Sequence, residues 1–351
     1  MPDIKFSGSR IIGLSACVPE KIFNNSDYFW LSKKERQQFI DVTGIEKRHI
    51  ADKNIIASDM CQKAAEVLLR DLNIPASEIG ILIFVSQSRD YYLPQTSAIL
   101  QHKLGISQSC MAVDISLGCS GYINGLSILC GLLETSDSKY GLLLAGDIST
   151  RTTPYTDKST FPLFGDAGTA TIVEKSNPSS SSFFNFGNDG SRHEAIIIRD
   201  GYFRNGISEK SLKKKKVSKG IHRKKIDLEL NGIEVFRFSI TEVPVSIRKI
   251  FKTAEITTEN IDYFVLHQAN KIIIQTIGKI LKIPPEKIPI NLDRYGNTSV
   301  GSIPLCMVTE LREQLQTKKL KLLLSGFGVG LSWGSAVIET DNIHVSELQY
   351  I

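Results

Sequence analysis

Apolar residues in this chain gather into short unbroken runs, separated by stretches of helical period. Residues 79–85 (IGILIFV) and 140–145 are such runs, and 9–15 is a third strand at the N-terminal end. A continuous apolar run bounded by turn signals predicts a strand covered on both faces of a parallel-type sheet. Residues 58–71 instead repeat every 3.6 positions through Met60, Ala64, Ala65, Val67 and Leu68, which predicts a helix. A second short helix is predicted over 96–104, and 164–173 (FGDAGTATIV) reads as a glycine turn entering a strand. The densest stretch is 111–134. A short buried strand, 112–115, leads into the turn Gly118-Cys119-Ser120-Gly121. A helix follows, carrying Ile123, Leu126, Ile128, Leu129, Leu132 and Leu133 with small residues between them. A helix apolar on most faces is a buried one. Strands alternating with helices predict a layered α/β core.

The order repeats. Residues 68–88 align without a gap on 250–270, so that Ile74, Ile79 and Ile83 fall on Ile256, Ile261 and Val265. LGI at 104–106 answers LKI at 281–283, and VDISLGCSG at 113–121 answers INLDRYGNTS at 290–299. KYGLLLAGDIS with FGDAGTATIVE answers the segment 319–339. A duplicated fold follows, with one half over 1–176 and the other over 177–351. Between them lie a Ser-rich loop at 177–182 and a run at 210–225 with nine Lys and Arg in sixteen positions. A run so charged reads as a solvated, mobile loop, or else as a docking surface for an acidic partner.

Composition narrows the class. The chain has 351 residues, 42% hydrophobic and 23% charged, with a formal net charge of +5. That is ordinary for a globular protein and too mild to imply a nucleic-acid partner. The six cysteines (Cys17, Cys61, Cys110, Cys119, Cys130, Cys306) are scattered without paired spacing, so neither a zinc site nor a disulfide scaffold is expected. The N-terminal residues do not read as a signal peptide, and no stretch approaches the ~20 apolar residues of a membrane span. A reducing, cytoplasmic setting is expected, where a turn cysteine is more readily catalytic than cross-linked.

Three polar residues stand at corresponding places in the two halves. Cys119 lies between glycines at a strand-to-helix turn, a nucleophile-elbow arrangement in which the helix N-terminus favours thiolate. His267 closes the apolar strand 263–266, and Asn297 sits in the turn sequence YGNTSVGS. A duplicated fold brings equivalent loops towards one cleft, where a thiol, an imidazole and a carboxamide together suit thioester chemistry. Taken singly, the His and the Asn would read as structural residues.

With these residues in view, the chain resembles the β-ketoacyl-acyl-carrier-protein synthase III family of thiolase-superfamily condensing enzymes. The resemblance spans nearly the whole length. It is carried by TGIEKRHI, the Cys119 turn, FGDAG, HQAN at 267–270, LDRYGNTS at 292–299 and GFGVGLSWGSA near the C-terminus. It implies a five-layered α/β/α/β/α thiolase fold, a homodimer, and a fatty-acid-synthesis activity. The implied reaction is decarboxylating condensation of an acyl group on Cys119 with a malonyl thioester. In it His267 and Asn297 donate to the malonyl carbonyl, and the backbone N–H groups of Cys119 and Val329 form an oxyanion hole. It implies no metal and no tightly bound cofactor. The substrates would be thioesters of coenzyme A or acyl carrier protein.

The chain also departs from the family pattern. Gln38 and Val42 stand where a Trp and an Arg usually hold the coenzyme A nucleotide, while Lys158 keeps a charge at a further position of that site. Ile272 replaces a carrier-docking Arg, although Lys271, Arg237 and Lys279 remain basic. Leu93 matches an acyl-pocket residue that the partner subunit usually contributes. Val329 interrupts a glycine run, and a loop of altered conformation is expected because Val tolerates positive φ poorly. These departures favour a carrier-linked donor and a specialised member of the family. Two other readings stay open: an acyltransferase delivering the acyl group to a hydroxyl or amine, and a non-catalytic partner subunit.

Overall fold

The computed structural model describes residues 3–177 and 181–351. Of the Ser-rich loop read at 177–182, residues 178–180 therefore lie outside the described residues. Strand β1 (Asp3–Phe6) is followed by β2 (Ser9–Val18). Helix α1 (Ala57–Asp71) leads to β3 (Ile79–Val85), and α2 (Thr96–Lys103) to β4 (Met111–Ile115). Helix α3 (Gly121–Thr135) then leads to β5 (Tyr140–Asp147) and β6 (Ala167–Lys175). The second half runs through β7 (Ser182–Asn188), α4 (Gly232–Ala254), β8 (Tyr263–Leu266), α5 (Lys271–Leu281) and α6 (Ser302–Glu310). It continues with β9 (Lys319–Gly328), β10 (Ser332–Asp341) and the short β11 (His344–Val345).

Two sheets result, in the orders β11-β2-β6-β5-β3-β4 and β1-β7-β10-β9-β8. The run β2-β6-β5-β3 matches β7-β10-β9-β8 strand for strand. In each, the last pair is parallel and the two preceding pairs are antiparallel. This is the duplication the sequence predicts. The chain ends cross over: β1 completes the second sheet by pairing β7, and β11 completes the first by pairing β2.

Helices α3 and α6 lie between the sheets, in one core with Val85, Leu143, Leu322 and Leu324. On α3, Ile123, Leu126, Leu129 and Leu133 are all buried, each worth roughly 1.5–3 kcal/mol of transfer free energy. Helices α1 and α2 cover the outer face of the first sheet, and α4 and α5 that of the second. The result is five alternating layers. Among the described residues, no helix is long and apolar enough to cross a membrane.

Two expectations need correction. The strand at 112–115 is not fully buried, because β4 is an edge strand paired on one side only, and Met111 is exposed. The Lys-rich run does not form a loose loop. Lys215–Ser218 and Ile221–Arg223 pair as an antiparallel hairpin anchored to the body. Trp30 Nε1 and the Lys158 amide both donate to Gly220 O, at 3.0 and 3.1 Å. Arg223 pairs with fully buried Asp157 at 3.2 Å. Local charge repulsion is outweighed here by contacts from distant segments, which charge density alone does not reveal.

Candidate active site

Cys119 sits between the end of β4 and the start of α3, directly under the last residue of β9. A Cβ built on Gly328 would stand 2.9 Å from the Cys119 sulfur, and one on Gly326 would stand 2.6 Å from Cys119 O. Both positions need glycine for β9 to approach so closely. The backbone N–H groups of Cys119 and Val329 both act on the sulfur as donors. Val329 is held by Ser332, whose hydroxyl donates to Val329 O at 2.7 Å and in turn accepts from Ser120 Oγ at 2.7 Å. Val329 itself avoids the backbone conformation that its side chain tolerates poorly. It is not among the positive-φ residues, and its neighbour Gly330 takes that conformation with φ 141°.

The thiol is protonated at rest. Burial pushes Cys119 up to about 12, with the charge of Asp147 as a further cause, outweighing the donors that lower it. The expectation that the helix end favours thiolate is therefore corrected. Desolvation of a charged sulfur costs more here than a few N–H dipoles return.

His267 follows β8, with its amide bonded to Ser325 O of β9 at 2.8 Å. Its ring is buried, and burial pushes it down to about 3, so the imidazole is neutral. Nδ1 lies 2.6 Å from Ser302 Oγ at the start of α6, and the Phe327 ring stands edge-on at 5.4 Å.

Asn297 is positioned by both of its faces. Its Oδ1 accepts from the Ser299 amide at 2.9 Å, and among the described residues its amide nitrogen has no hydrogen-bond partner. Its backbone pairs with the FGDAG segment, Asn297 N donating to Leu163 O at 2.9 Å and Gly165 N to Asn297 O at 3.1 Å. Fully buried Arg48 from TGIEKRHI fixes that segment. Its guanidinium donates to Phe164 O at 2.7 Å and to Asn25 Oδ1 at 3.1 Å, between the rings of Phe23 and Phe161. Gly296, at φ 67°, leaves no room for a Cβ beside Arg48 Cγ. Three separate motifs thus converge on one carboxamide.

Cys119, His267 and Asn297 open into a single cavity of about 830 Å³. Its far wall is apolar, built from Ile196, Ile197, Ile198, Leu228, Leu230 and Val235. A thiol beside polar donors, with a greasy wall opposite, suits an acyl thioester.

The remaining expected residues lie outside the cavity lining. Leu93 is 85% exposed and is not among the residues lining this chain's own cavity. Lys158 pairs with Glu35 at 3.7 Å and packs under the hairpin at Gly220. Arg237 is exposed, two residues from the wall residue Val235, and pairs with Glu234 at 3.6 Å. Lys271 and Lys279 are exposed on α5, and Ala269, two residues before that helix, lines the cavity. Gln38 and Val42 are exposed on the helix Lys33–Thr43. Sequence reading missed Ser299, Ser302, Ser332, Arg48 and Asp147. Arg48, Ser299 and Ser332 carried a signal, as polar residues inside recognised motifs.

Two stacked copies of a mixed sheet around a central helical layer define a thiolase fold. A crystal structure of 3-oxoacyl-(acyl-carrier protein) synthase from Burkholderia xenovorans superposes with a TM-score of 0.94 at 34% identity, covering 100% of this chain and 99% of that one. Residues 113–190 match the family model for 3-oxoacyl-[acyl-carrier-protein] synthase III, and residues 251–340 match the model for its C-terminal part. The β-ketoacyl-[acyl-carrier-protein] synthase III of Natranaerobius thermophilus is 32% identical over 337 residues, 95% of this chain and 99% of its own length. That of Syntrophomonas wolfei is 33% identical, covering 94% and 96%. The chain belongs to the β-ketoacyl-acyl-carrier-protein synthase III family.

Proposed function

We propose that this chain catalyses decarboxylating condensation of an acyl group carried on Cys119 with malonyl-acyl-carrier protein, giving a β-ketoacyl thioester. The cavity that joins Cys119 to a neutral His267 and an anchored Asn297 carries this reading. Cys119 attacks the donor thioester, dividing one difficult step into two. The N–H groups of Cys119 and Val329 receive the charge on the tetrahedral oxygen. A malonyl thioester then enters. With Ser302 Oγ donating to Nδ1, His267 keeps its proton on Nε2 and presents it, beside the Asn297 amide, to the malonyl carbonyl oxygen. Loss of carbon dioxide builds enolate charge on that oxygen, where two fixed donors out of water stabilise it. The carbanion attacks the acyl carbon, and Cys119 departs.

Simple acyl transfer to a hydroxyl or amine needs no enolate donor, so the double anchoring of Asn297 favours condensation. Replacing Asn297 by Ala tests this: condensation falls roughly 10²–10³-fold, the scale of one lost oxyanion donor, while acylation of Cys119 persists. Turnover that survives in Asn297→Ala would favour plain acyl transfer.

The donor in this reading is carrier-linked. Exposed Gln38 and Val42 offer neither a stacking ring nor a phosphate partner. Lys215 and Lys216 of the hairpin and Lys213 and Lys214 just before it are exposed, and the turn leading into them is tied to the cavity wall, since Ser211 Oγ donates to Asp200 Oδ2 at 2.7 Å. A homodimer fits exposed Leu93, Tyr91 and Tyr92 and the open edge of β4, with Leu93 reaching the partner's cavity. Halves at 1–176 and 177–351, thioesters as the only cofactor-like groups, and a cytoplasmic setting complete the reading.

A further inference from the structure

Asp147, the last residue of β5, is a buried carboxylate that the reaction above leaves without a task. Its Oδ1 is saturated, accepting from Ser86 Oγ at 3.0 Å, Gln87 N at 2.8 Å and Ser88 Oγ at 3.0 Å. Its Oδ2 is buried with no hydrogen-bond partner among the described residues. An orphaned buried oxygen is costly, and native structures carry few of them. Desolvation pushes the carboxyl up, and no cation is among the groups acting on it.

The polar group facing that carboxyl is Ser299. Its hydroxyl is among the groups that lower the Asp147 carboxyl, although Asp147 Oδ2 makes no hydrogen bond, and the same oxygen lies 4.0 Å from Cys119 Sγ. Ser299 holds φ 52°, a left-handed conformation uncommon for a non-glycine residue, fixed by the bond from its amide to Asn297 Oδ1. The segment it begins packs on the end of β5, where a Cβ on Gly301 would stand 3.5 Å from Ala145 O. Thiol and hydroxyl thus meet at the cavity lining, with the buried carboxylate close by.

Acylation requires Cys119 to lose a proton, and neutral His267 is a poor place to keep it, since burial disfavours its cation. We propose that Asp147, through the Ser299 hydroxyl, takes the Cys119 proton during acylation and returns it after condensation. This rests on the acyl-enzyme reading above. In the first half-reaction the thiol proton passes to Ser299 Oγ while the Ser299 proton passes to Asp147 Oδ2. The Cys119 sulfur bonds the acyl carbon, and the donor thiolate leaves and takes a proton from water. In the second, the malonyl carboxylate leaves as carbon dioxide and the carbanion bonds the acyl carbon. Cys119 departs as thiolate, and the proton on Asp147 returns along the same path. The net reaction consumes one solvent proton, as decarboxylation requires. Asp147 acts only through Ser299 and is a positioning residue, whereas Ser299 meets the reacting sulfur at the cavity lining.

A competing account makes Asp147 a charge only. Its negative charge disfavours thiolate, so removing it would then speed acylation. The two accounts predict opposite signs. Other titratable groups near these residues are Cys61 of α1, itself pushed up by burial, and neutral His267.

The test is single-turnover acylation of Cys119 by acyl-coenzyme A and matched acyl-acyl-carrier protein, followed by intact-protein mass from pH 6 to 9. Wild type is compared with Asp147→Asn, Ser299→Ala and the double variant. The relay predicts a slowing of roughly ten- to a hundredfold in either single variant at pH 7, at the lower end of general-base effects. The double variant is no slower than either, and both regain rate as rising pH supplies free thiolate. Wild-type or faster acylation in folded Asp147→Asn overturns the relay. If that variant fails to fold, Ser299→Ala, which keeps the carboxylate and its three bonds, decides alone: a wild-type rate and pH profile overturn it. Absence of any wild-type adduct would instead overturn the acyl-enzyme reading, and the relay with it.

Discussion

A side-chain carbon on Gly328 would stand 2.8 Å from Cys119 Cβ and 2.9 Å from its sulfur. The strand end and Cys119 therefore share one space. Gly328→Ala would push Cys119 off its place beneath the Val329 N–H. Acylation should fall by at least ~10²-fold, the cost of a misplaced oxyanion donor, with the fold retained by circular dichroism. Acylation near the wild-type rate would show that the contact relaxes freely.

His267 should contribute no ionisation near pH 6.5 to the condensation rate, because burial holds it neutral down to about 3. Its effect on stability has a definite sign. The unfolded chain gains a proton on this His below about 6.5, whereas the folded chain does not, so its contribution is present above 6.5 and is lost as pH falls towards 3. Asp166 acts oppositely: raised to about 6 by burial, it favours the fold most at low pH. Urea midpoints of wild type and His267→Gln between pH 4 and 8 separate the two. The wild-type advantage should shrink as pH falls, and a growing one would contradict the neutral imidazole.

Arg48 carries structural weight out of proportion to its place in the chain. Arg48→Ala strands Phe164 O and Asn25 Oδ1 and opens the space between two rings. At ~1–3 kcal/mol for each buried group left unpaired, the loss should reach about 3 kcal/mol or more. Equilibrium denaturation checks this. Asn297 should suffer too, so condensation should fall further than acylation in whatever fraction remains folded.

Replacing Lys213, Lys214, Lys215 and Lys216 with Ala should raise KM for an acyl-carrier-protein donor several-fold, and more so at low salt. The same acyl group on coenzyme A should be handled unchanged. Equal effects on both donors would remove the hairpin from carrier recognition.

Much of this was legible in the sequence. Apolar runs such as 79–85 and the helical period of 58–71 state which faces are covered, and the match of 68–88 to 250–270 states which strands are equivalent. Cys119, His267 and Asn297 stood out because the duplication gives them corresponding places. What the periods do not encode is which distant polar group meets which. Ser299 and Cys119 are 180 positions apart, and Arg48 and Phe164 are 116 apart, so neither pairing leaves a local pattern. The thiol's protonation was misread for the same reason. A helix end is visible in the sequence, but burial beneath β9 is not.

The most direct measurement is intact-protein mass after exposure to acyl-coenzyme A and acyl-acyl-carrier-protein panels, with malonyl-acyl-carrier protein added second and Cys119→Ala alongside. The account predicts a mass gain of one acyl group in wild type alone, discharged by the malonyl thioester as a β-ketoacyl product with release of carbon dioxide. No adduct from any donor, or an adduct that persists in Cys119→Ala, would contradict it.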